Sequence, residues 1–314
     1  MSRLTIAIPS KGRLKDNAEA WFAKAGFSLK QAGGERGYTA ELKGLPEADV
    51  LLLSAREIAQ GLIDGAFHIG VTGEDLLNDL SADLSRDASV IKRLGFGGAD
   101  VVVAVPAAWL DVNTMSDLEA AGARFRQRHG RRMKVATKYL RLTRNYFAAK
   151  SVGEYRLIES AGATEAAPSS GQAEVIVDIT SSGATLKANS LKVLDDGVIL
   201  KSEAALTGSL RADWSEDALG ALEKLLASVE AVESADATRM LVAANPIPDS
   251  VISAEGMQPV SATSVLSPSF SAVKNARAIA ETGVGPVTIL RTEFIFDRET
   301  PSFTKFVTNL KSNA

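Results

Sequence analysis

Residues 174–187 read Glu-Val-Ile-Val-Asp-Ile-Thr-Ser-Ser-Gly-Ala-Thr-Leu-Lys. Glu174–Ile179 is a strand of nearly unbroken apolar character, the pattern of a strand covered on both faces. It delivers Asp178 to its carboxyl end. A loop of hydroxyls and a glycine follows, Thr180-Ser181-Ser182-Gly183-Ala184-Thr185, and leads into a helix. Small residues let backbone N–H groups approach an anion closely, and a helix N-terminus adds a favourable partial charge. The hydroxyls of Ser181, Ser182 and Thr185 can complete a phosphate cup, with Asp178 placed beside it to accept hydrogen bonds from sugar hydroxyls. Together these groups suit a ribose 5-phosphate. A Ser/Gly-rich turn needs no ligand to exist. The buried strand with its terminal carboxylate is what favours a binding site.

The same strand–loop–helix grammar recurs towards the N-terminus. Leu4–Ile8 is an apolar run ending in Pro9. Ser10-Lys11-Gly12-Arg13 follows, then a helical pattern to about Ala25, stopped by Gly26. Val50–Leu53 is a strand, and Ser54 with Glu57 has the spacing of a capping box. The helix it opens runs to Gly65, and His68–Val71 is the next strand. Short loops in this order predict a parallel sheet covered by helices. Val101–Val105 carries the chain into a second lobe, with strands expected at Lys134–Thr137 and Glu174–Ile179. Val198–Leu200 and Ala204–Leu206 read as short strands returning to the first lobe. Ser215–Val232 has a long helical period. After a linker near Ser234–Asp236 the pattern becomes strand (Arg239–Ala244), helix (Ser269–Thr282) and strand (Val287–Phe296). The expected units are residues 1–103 with 192–225, residues 104–191, and a small α+β domain at 236–314.

Composition bounds the chemistry. The chain has 314 residues, 46% apolar and 23% charged, and a net charge of −3, an ordinary globular balance. No global basic field exists to hold a polynucleotide, so no nucleic-acid partner is expected. Cysteine is absent, which excludes disulfides, thiolate nucleophiles and Cys-based metal cages. The two histidines, His68 and His129, are too far apart in sequence to suggest a metal pair. A metal that takes part is then expected to be a hard, oxygen-bound ion such as Mg²⁺ arriving with a phosphorylated ligand. The N-terminal stretch lacks a signal-peptide pattern, and no window reaches membrane-spanning length. A cytoplasmic enzyme without membrane partner is the expectation.

Four further segments, with Arg56, carry candidate ligand groups. In Ile8-Pro-Ser-Lys-Gly-Arg-Leu14, two cations flank Gly12 at the end of the sheet where open α/β folds bind ligands. Lys11 and Arg13 can neutralise phosphate oxygens. Arg56 sits beside the capped helix start. In Gly70-Val-Thr-Gly-Glu-Asp75, Gly73 permits a tight turn, and Glu74 and Asp75 either cap the next helix or approach a ribose or metal-bound ligand. In Ala136-Thr-Lys-Tyr-Leu-Arg141, Lys138 adds charge and Tyr139 can cover a base or sugar. Glu165, in Gly162-Ala-Thr-Glu-Ala-Ala-Pro168, binds substrate or caps local backbone.

At these residues the chain resembles the ATP phosphoribosyltransferase family of histidine biosynthesis. The matching text is Lys11-Gly-Arg-Leu14, Asp64-Gly-Ala-Phe-His-Ile-Gly-Val-Thr-Gly-Glu74, Arg93-Leu-Gly-Phe-Gly-Gly98, Ala136-Thr-Lys-Tyr139 and Val177-Asp-Ile-Thr-Ser-Ser-Gly-Ala-Thr-Leu186. It extends over roughly residues 3–210. The resemblance implies an α/β fold of two lobes like those of type II periplasmic binding proteins, with a small C-terminal ferredoxin-like domain. It implies that N1 of ATP attacks C1 of phosphoribosyl pyrophosphate, with Mg²⁺ on the departing pyrophosphate. It also implies histidine as an inhibitor and a homo-oligomer, dimer or hexamer. Asp178 and Thr180–Thr185 would then bind phosphoribosyl pyrophosphate, with Lys11, Gly12, Arg13, Arg56, Gly73, Glu74, Lys138, Tyr139 and Glu165 on ATP or pyrophosphate. A pre-activated leaving group makes a covalent nucleophile unnecessary. The chain departs from the pattern at Met257–Ser267, which reads as too short for two full central strands, and in an extra tail, Pro301–Ala314. Two other readings share the architecture: a phosphoribosyltransferase for another base, and a solute-binding module.

Overall fold

The computed structural model describes residues 3–32, 38–160 and 162–313. Met1, Ser2, residues 33–37, Ala161 and Ala314, which the expected domain bounds include, lie outside the described residues.

The first lobe starts with β1 (Leu4–Pro9) and α1 (Gly12–Lys24), followed by β2 (Ser28–Ala32), β3 (Thr39–Lys43) and β4 (Ala48–Leu53). Then come α2 (Ala55–Asp64), β5 (Ile69–Gly73), α3 (Glu74–Leu80), α4 (Leu84–Asp87) and β6 (Ala88–Arg93). Strand β1 pairs in parallel with β4 and β5, so their carboxyl ends lie together. It is buried on both sides because helices cover both faces. Leu4, Ile6 and Ile8 share a core with Ala18 and Phe22 of α1, while Ala7 packs with Ile58 and Leu62 of α2. The capping box forms as expected: Ser54 Oγ accepts from the Glu57 N–H and Glu57 Oε2 from the Ser54 N–H. Gly65 closes that helix at φ +77°, a conformation that favours glycine.

The chain crosses to the second lobe through residues 94–98. There it forms β7 (Ala99–Pro106), α5 (Met115–His129), β8 (Met133–Thr137), α6 (Leu140–Ala149) and β9 (Tyr155–Glu159). A short 3₁₀ turn (Thr164–Ala166) leads to β10 (Val175–Thr180), α7 (Ala184–Ala188) and β11 (Leu191–Ser202). The sheet order is β11-β7-β10-β8-β9. Strand β12 (Ala204–Ser209) returns to the first sheet between β5 and β6, giving the order β2-β3-β4-β1-β5-β12-β6. The lobes are thus joined by two crossovers. The expected boundaries shift accordingly. All of β7 belongs to the second sheet, because the apolar run Val101–Val105 pairs with β10 on one side and β11 on the other. Val198–Leu200 lies inside β11, in the second sheet, and the return to the first lobe begins at Ala204.

Helix α8 (Glu216–Ala237) packs Leu222, Leu225, Leu226 and Val229 into the first core and hands the chain to a third unit. That unit runs β13 (Thr238–Ala243), α9 (Asp249–Ala254), β14 (Gln258–Ser261), β15 (Ser264–Pro268), α10 (Ala272–Glu281) and β16 (Val287–Leu290). Its sheet, β14-β15-β13-β16, is antiparallel throughout. A βαββαβ chain in that order is the ferredoxin-like arrangement. Residues 257–267 therefore do hold two strands. They suffice because β14 is only four residues long and turns into β15 within two. The last strand stops at Leu290 rather than Phe296, and α9 was not anticipated.

The tail is the larger correction. Helix α11 (Pro301–Asn313) leaves the small domain and packs on the first lobe. Phe306 is 1% exposed and meets the Trp214 ring edge-on at 5.1 Å. Gly208 of β12 makes room for it: a Cβ there would come within 2.4 Å of the Phe306 ring. Asn309 Nδ2 donates to Ser89 Oγ (3.0 Å), and the Ser302 N–H to Glu230 Oε1 (2.9 Å). The unit expected at 236–314 thus loses residues 301–313 to the first lobe. The small domain is attached at both ends.

Replacing Phe306 by Ala should lower unfolding stability by about 3–5 kcal/mol, the usual cost of emptying a buried aromatic site. Phe270→Ala, at a side chain 91% exposed, should stay within about 0.5 kcal/mol. Urea unfolding of both variants against the parent measures this.

Candidate active site between the lobes

In each lobe the parallel strands end on the same edge, and the candidate residues sit on those ends. In the first lobe Pro9 pairs with Leu53, and the Ser10 N–H donates to the Leu53 carbonyl (2.8 Å). This brings Lys11–Arg13 beside Ser54–Arg56. Gly73 ends β5, the neighbour of β1, on the same side. Lys11, Gly12, Arg13 and Arg56 are all exposed. Gly12 opens α1 at φ +73°, where any other residue is strained.

In the second lobe Val177 pairs with Thr137, the last residue of β8, so Asp178, still within β10, lies beside Lys138 just past the neighbouring strand's end. Asp178 is half-buried. Burial raises its carboxyl above the ordinary range, opposed by the Ile179 N–H (2.8 Å to Oδ1), the nearby Lys138 charge and the Thr164 hydroxyl, while Glu165 nearby raises it further. Glu165 is held there by the 3₁₀ turn, which Ala163 enters at φ +48°. In the loop, Thr180 Oγ1 accepts from the Gly183 N–H (2.9 Å). Gly183 itself stands at φ +73°, with nothing within 4 Å of where a Cβ would project. Ser181, Ser182, Ala184 and Thr185 are exposed around that open space.

The two half-sites meet at the first crossover. A Cβ on Gly97 would touch Leu14 of α1 (3.6 Å) and Ala204 (3.3 Å). The next residue, Gly98, offers its carbonyl to Ser181 Oγ at 2.8 Å. The Lys11–Arg13 segment and the hydroxyl loop therefore flank the same two glycines.

Two expected ligand groups are otherwise engaged. Tyr139 does not cover a base or sugar position. Its ring is 1% exposed, and its hydroxyl donates to Asp75 Oδ2 at 2.6 Å. Burial, then the Asp75 charge, pushes the phenol far above its ordinary range, so it remains a donor. Lys138 Nζ lies over the Tyr139 ring at 5.0 Å. Glu74 is gripped by Arg93, whose Nε and Nη2 reach its oxygens at 2.9–3.2 Å, with Glu203 at 3.7 Å from the same guanidinium. Gly73 leaves little room for a side chain, since a Cβ would fall 2.2 Å from Asp75 Oδ1.

The residues that bind the lobes to each other were not singled out as a group. Besides Tyr139, Asp75 Oδ1 accepts from Ser202 Oγ (3.0 Å), which in turn accepts from the Asp75 N–H (3.0 Å). One helical turn on, Asp79 Oδ1 accepts the N–H groups of Arg141 (2.9 Å) and Leu142 (3.1 Å), and its carbonyl accepts Arg141 Nε (3.2 Å). Asp79 thereby caps α6 across the lobe junction. Burial raises its carboxyl, opposed by those N–H groups and by the Arg56 and Arg141 charges. The signal in the sequence was the i, i+4 spacing of Asp75 and Asp79, which puts both on one helix face. Among the described residues no cluster of three or more His, Asp or Glu side chains forms a metal cage. Asp178 and Glu165, with the loop hydroxyls, form a hard-oxygen donor set of the kind compatible with a metal carried in by phosphates.

Residues 54–231 match the family described as HisG: ATP phosphoribosyltransferase. An ATP phosphoribosyltransferase of Caulobacter vibrioides (strain NA1000 / CB15N) is 48% identical over 316 residues, spanning 98% of each chain. One from Rhodopseudomonas palustris (strain BisB18) is 47% identical over 320 residues, again 98% of each. Among solved structures, the ATP phosphoribosyl transferase (HisG:HisZ) complex from Thermotoga maritima aligns with a TM-score of 0.54 at 24% identity, over 72% of this chain and 98% of that one. That last likeness is one of fold. The family match and the near full-length relatives leave one assignment: the chain belongs to the ATP phosphoribosyltransferase family.

Proposed function

We propose that this cleft joins ATP to 5-phosphoribosyl 1-pyrophosphate, giving N1-(5-phosphoribosyl)-ATP and pyrophosphate, the first step of histidine biosynthesis. The observation that carries the reading is the meeting of a hydroxyl–glycine loop headed by Asp178 with the Lys11–Arg13 strand end, on either side of Gly97 and Gly98. In the reaction N1 of adenine forms a bond to C1 of the ribose as the C1–O bond to pyrophosphate breaks, and both bonding electrons leave with pyrophosphate. The chain's work is positioning and charge stabilisation.

Thr180–Thr185 cradle the 5-phosphate, where Gly183 keeps the approach open. Asp178 accepts from the ribose hydroxyls, which favours the charged form that burial opposes. Lys11, Arg13 and Arg56 from the first lobe, with Lys138 from the second, balance the phosphate charge. Glu165 lies beside Asp178, where it can take a further sugar or metal contact. Mg²⁺ bound with the pyrophosphate would offset the charge that develops as it departs. No helix is long and apolar enough to cross a membrane among the described residues. The ferredoxin-like unit at 238–290, by its family likeness, serves regulation and assembly: free histidine binds there in a homo-oligomer and lowers activity from a distance.

Asp178→Asn keeps the shape but loses the charge. Gly183→Val places a β-branched side chain at positive φ, in the space left for phosphate. Each lost charged hydrogen bond costs about 1.5–3 kcal/mol, or roughly 10–100-fold in kcat/KM for phosphoribosyl pyrophosphate. Pyrophosphate release followed against substrate concentration measures this, and near-parental kinetics in both variants would remove the site from the account.

Excess EDTA should abolish pyrophosphate release and added Mg²⁺ should restore it. Undiminished activity in EDTA contradicts the metal's part.

Histidine should bind with measurable heat and inhibit, with a coupling of about 1–3 kcal/mol between the two sites. Titration calorimetry beside the activity assay tests it, and neither heat nor inhibition would dismiss histidine as effector.

A further inference from the structure

The segment 138–142 stands in two places at once. Lys138 faces Asp178 in the second lobe's half-site, while Tyr139, Arg141 and Leu142 are held by Asp75 and Asp79 of α3, in the first lobe. Ser202, the last residue of β11 before the second crossover, closes the same network through Asp75. Asp75, Tyr139 and Ser202 are all buried, at 9%, 1% and 7% exposure. A buried carboxylate needs its full set of donors, and those of Asp75 are the Ser202 hydroxyl at the second crossover and the Tyr139 hydroxyl of the opposite lobe. The angle between the lobes is therefore tied to how Asp75 is solvated.

We infer that Asp75, Tyr139 and Ser202 form a latch that sets the productive angle between the two half-sites, with Tyr139 acting as a positioning residue that never touches substrate. This rests on the two-substrate reading above. A bilobal site binds each substrate only in the fraction of molecules whose halves are correctly set, and apparent affinity falls in proportion to that fraction. Loosening the latch must therefore weaken both substrates by the same factor. Saturating substrate draws the population back, so kcat is spared. A direct ligand contact would instead raise one KM alone. Plain damage to the fold would lower the active fraction, and with it kcat, at unchanged KM.

The test is Tyr139→Phe, with Ser202→Ala as a second variant should the first fold poorly. With the other substrate held well below saturation, the apparent KM of each substrate should rise by a common factor of about three to ten, with kcat at saturation of both within about twofold. A second readout does not depend on activity. The chain has no cysteine, so Ala20→Cys and Ala123→Cys, both exposed and on opposite lobes, accept spin labels cleanly. The label-to-label distance distribution should broaden or shift in Tyr139→Phe. A rise in one KM only, a fall in kcat at unchanged KM, or an unaltered distance distribution would each overturn the latch. If the parent chain releases no pyrophosphate from the two substrates, the transferase reading falls, and the distance measurement still decides the latch.

Discussion

A carboxylate buried where two lobes meet cannot be left to water, and Asp75 is such a group. Its oxygens take the Tyr139 and Ser202 hydroxyls, and its own N–H reaches Ser202. Removing charge from water is costly unless hydrogen bonds replace what is lost, so the lobes, the second crossover and the start of α3 must come to one mutual position. Asp79 repeats the arrangement one turn on, where it supplies the cap that α6 lacks within its own lobe. Everything placed on the facing strand ends inherits its relation from this junction.

Against that fixed junction the ligand groups are built from pieces that make few demands on the rest of the protein. The hydroxyl loop satisfies itself, with Thr180 holding the Gly183 N–H and Ser181 held by Gly98. Lys11, Arg13 and Arg56 have no carboxylate partner at salt-bridge distance among the described residues, whereas Arg93, Arg126 and Arg131 are paired with Glu74, Glu154 and Glu174. Cations left unpaired around an open space attract anions more effectively than cations already neutralised.

The third unit bears on the same framework from both of its ends. Helix α8 enters it after filling the first core, and α11 returns from it to cover β6 and β12. Strand β6 ends at Lys92 and Arg93. Lys92 reaches Glu233 of α8 at 2.5 Å, and Arg93 holds Glu74 at the start of α3. A displacement of the small domain has short, packed routes to the lobe junction.

Local chemistry made much of this legible in the sequence. Asp178 with Thr180–Thr185 reads as a buried strand feeding a small-residue loop; the strand and loop form, but the strand is Val175–Thr180 and its last residues are not covered, with Ile179 exposed. Ser54 and Glu57 announce a capping box by spacing alone, because a cap involves only neighbours along the chain. The strand ends that carry Lys11, Arg13 and Arg56 follow from apolar runs broken by Pro and Gly. What the sequence could not decide were contacts between residues far apart in it. Tyr139 looked like a ligand group because a tyrosine after a strand end exposes or buries its ring according to what faces it, and here Asp75, 64 residues earlier, faces it. Val198–Leu200 suited either sheet, and pairing with β7 put it in the second. The tail at 301–313 has an amphipathic period, but a period names only the face that must be buried. That it is buried in the first lobe, under a glycine at 208 that leaves space for Phe306, was settled by tertiary packing.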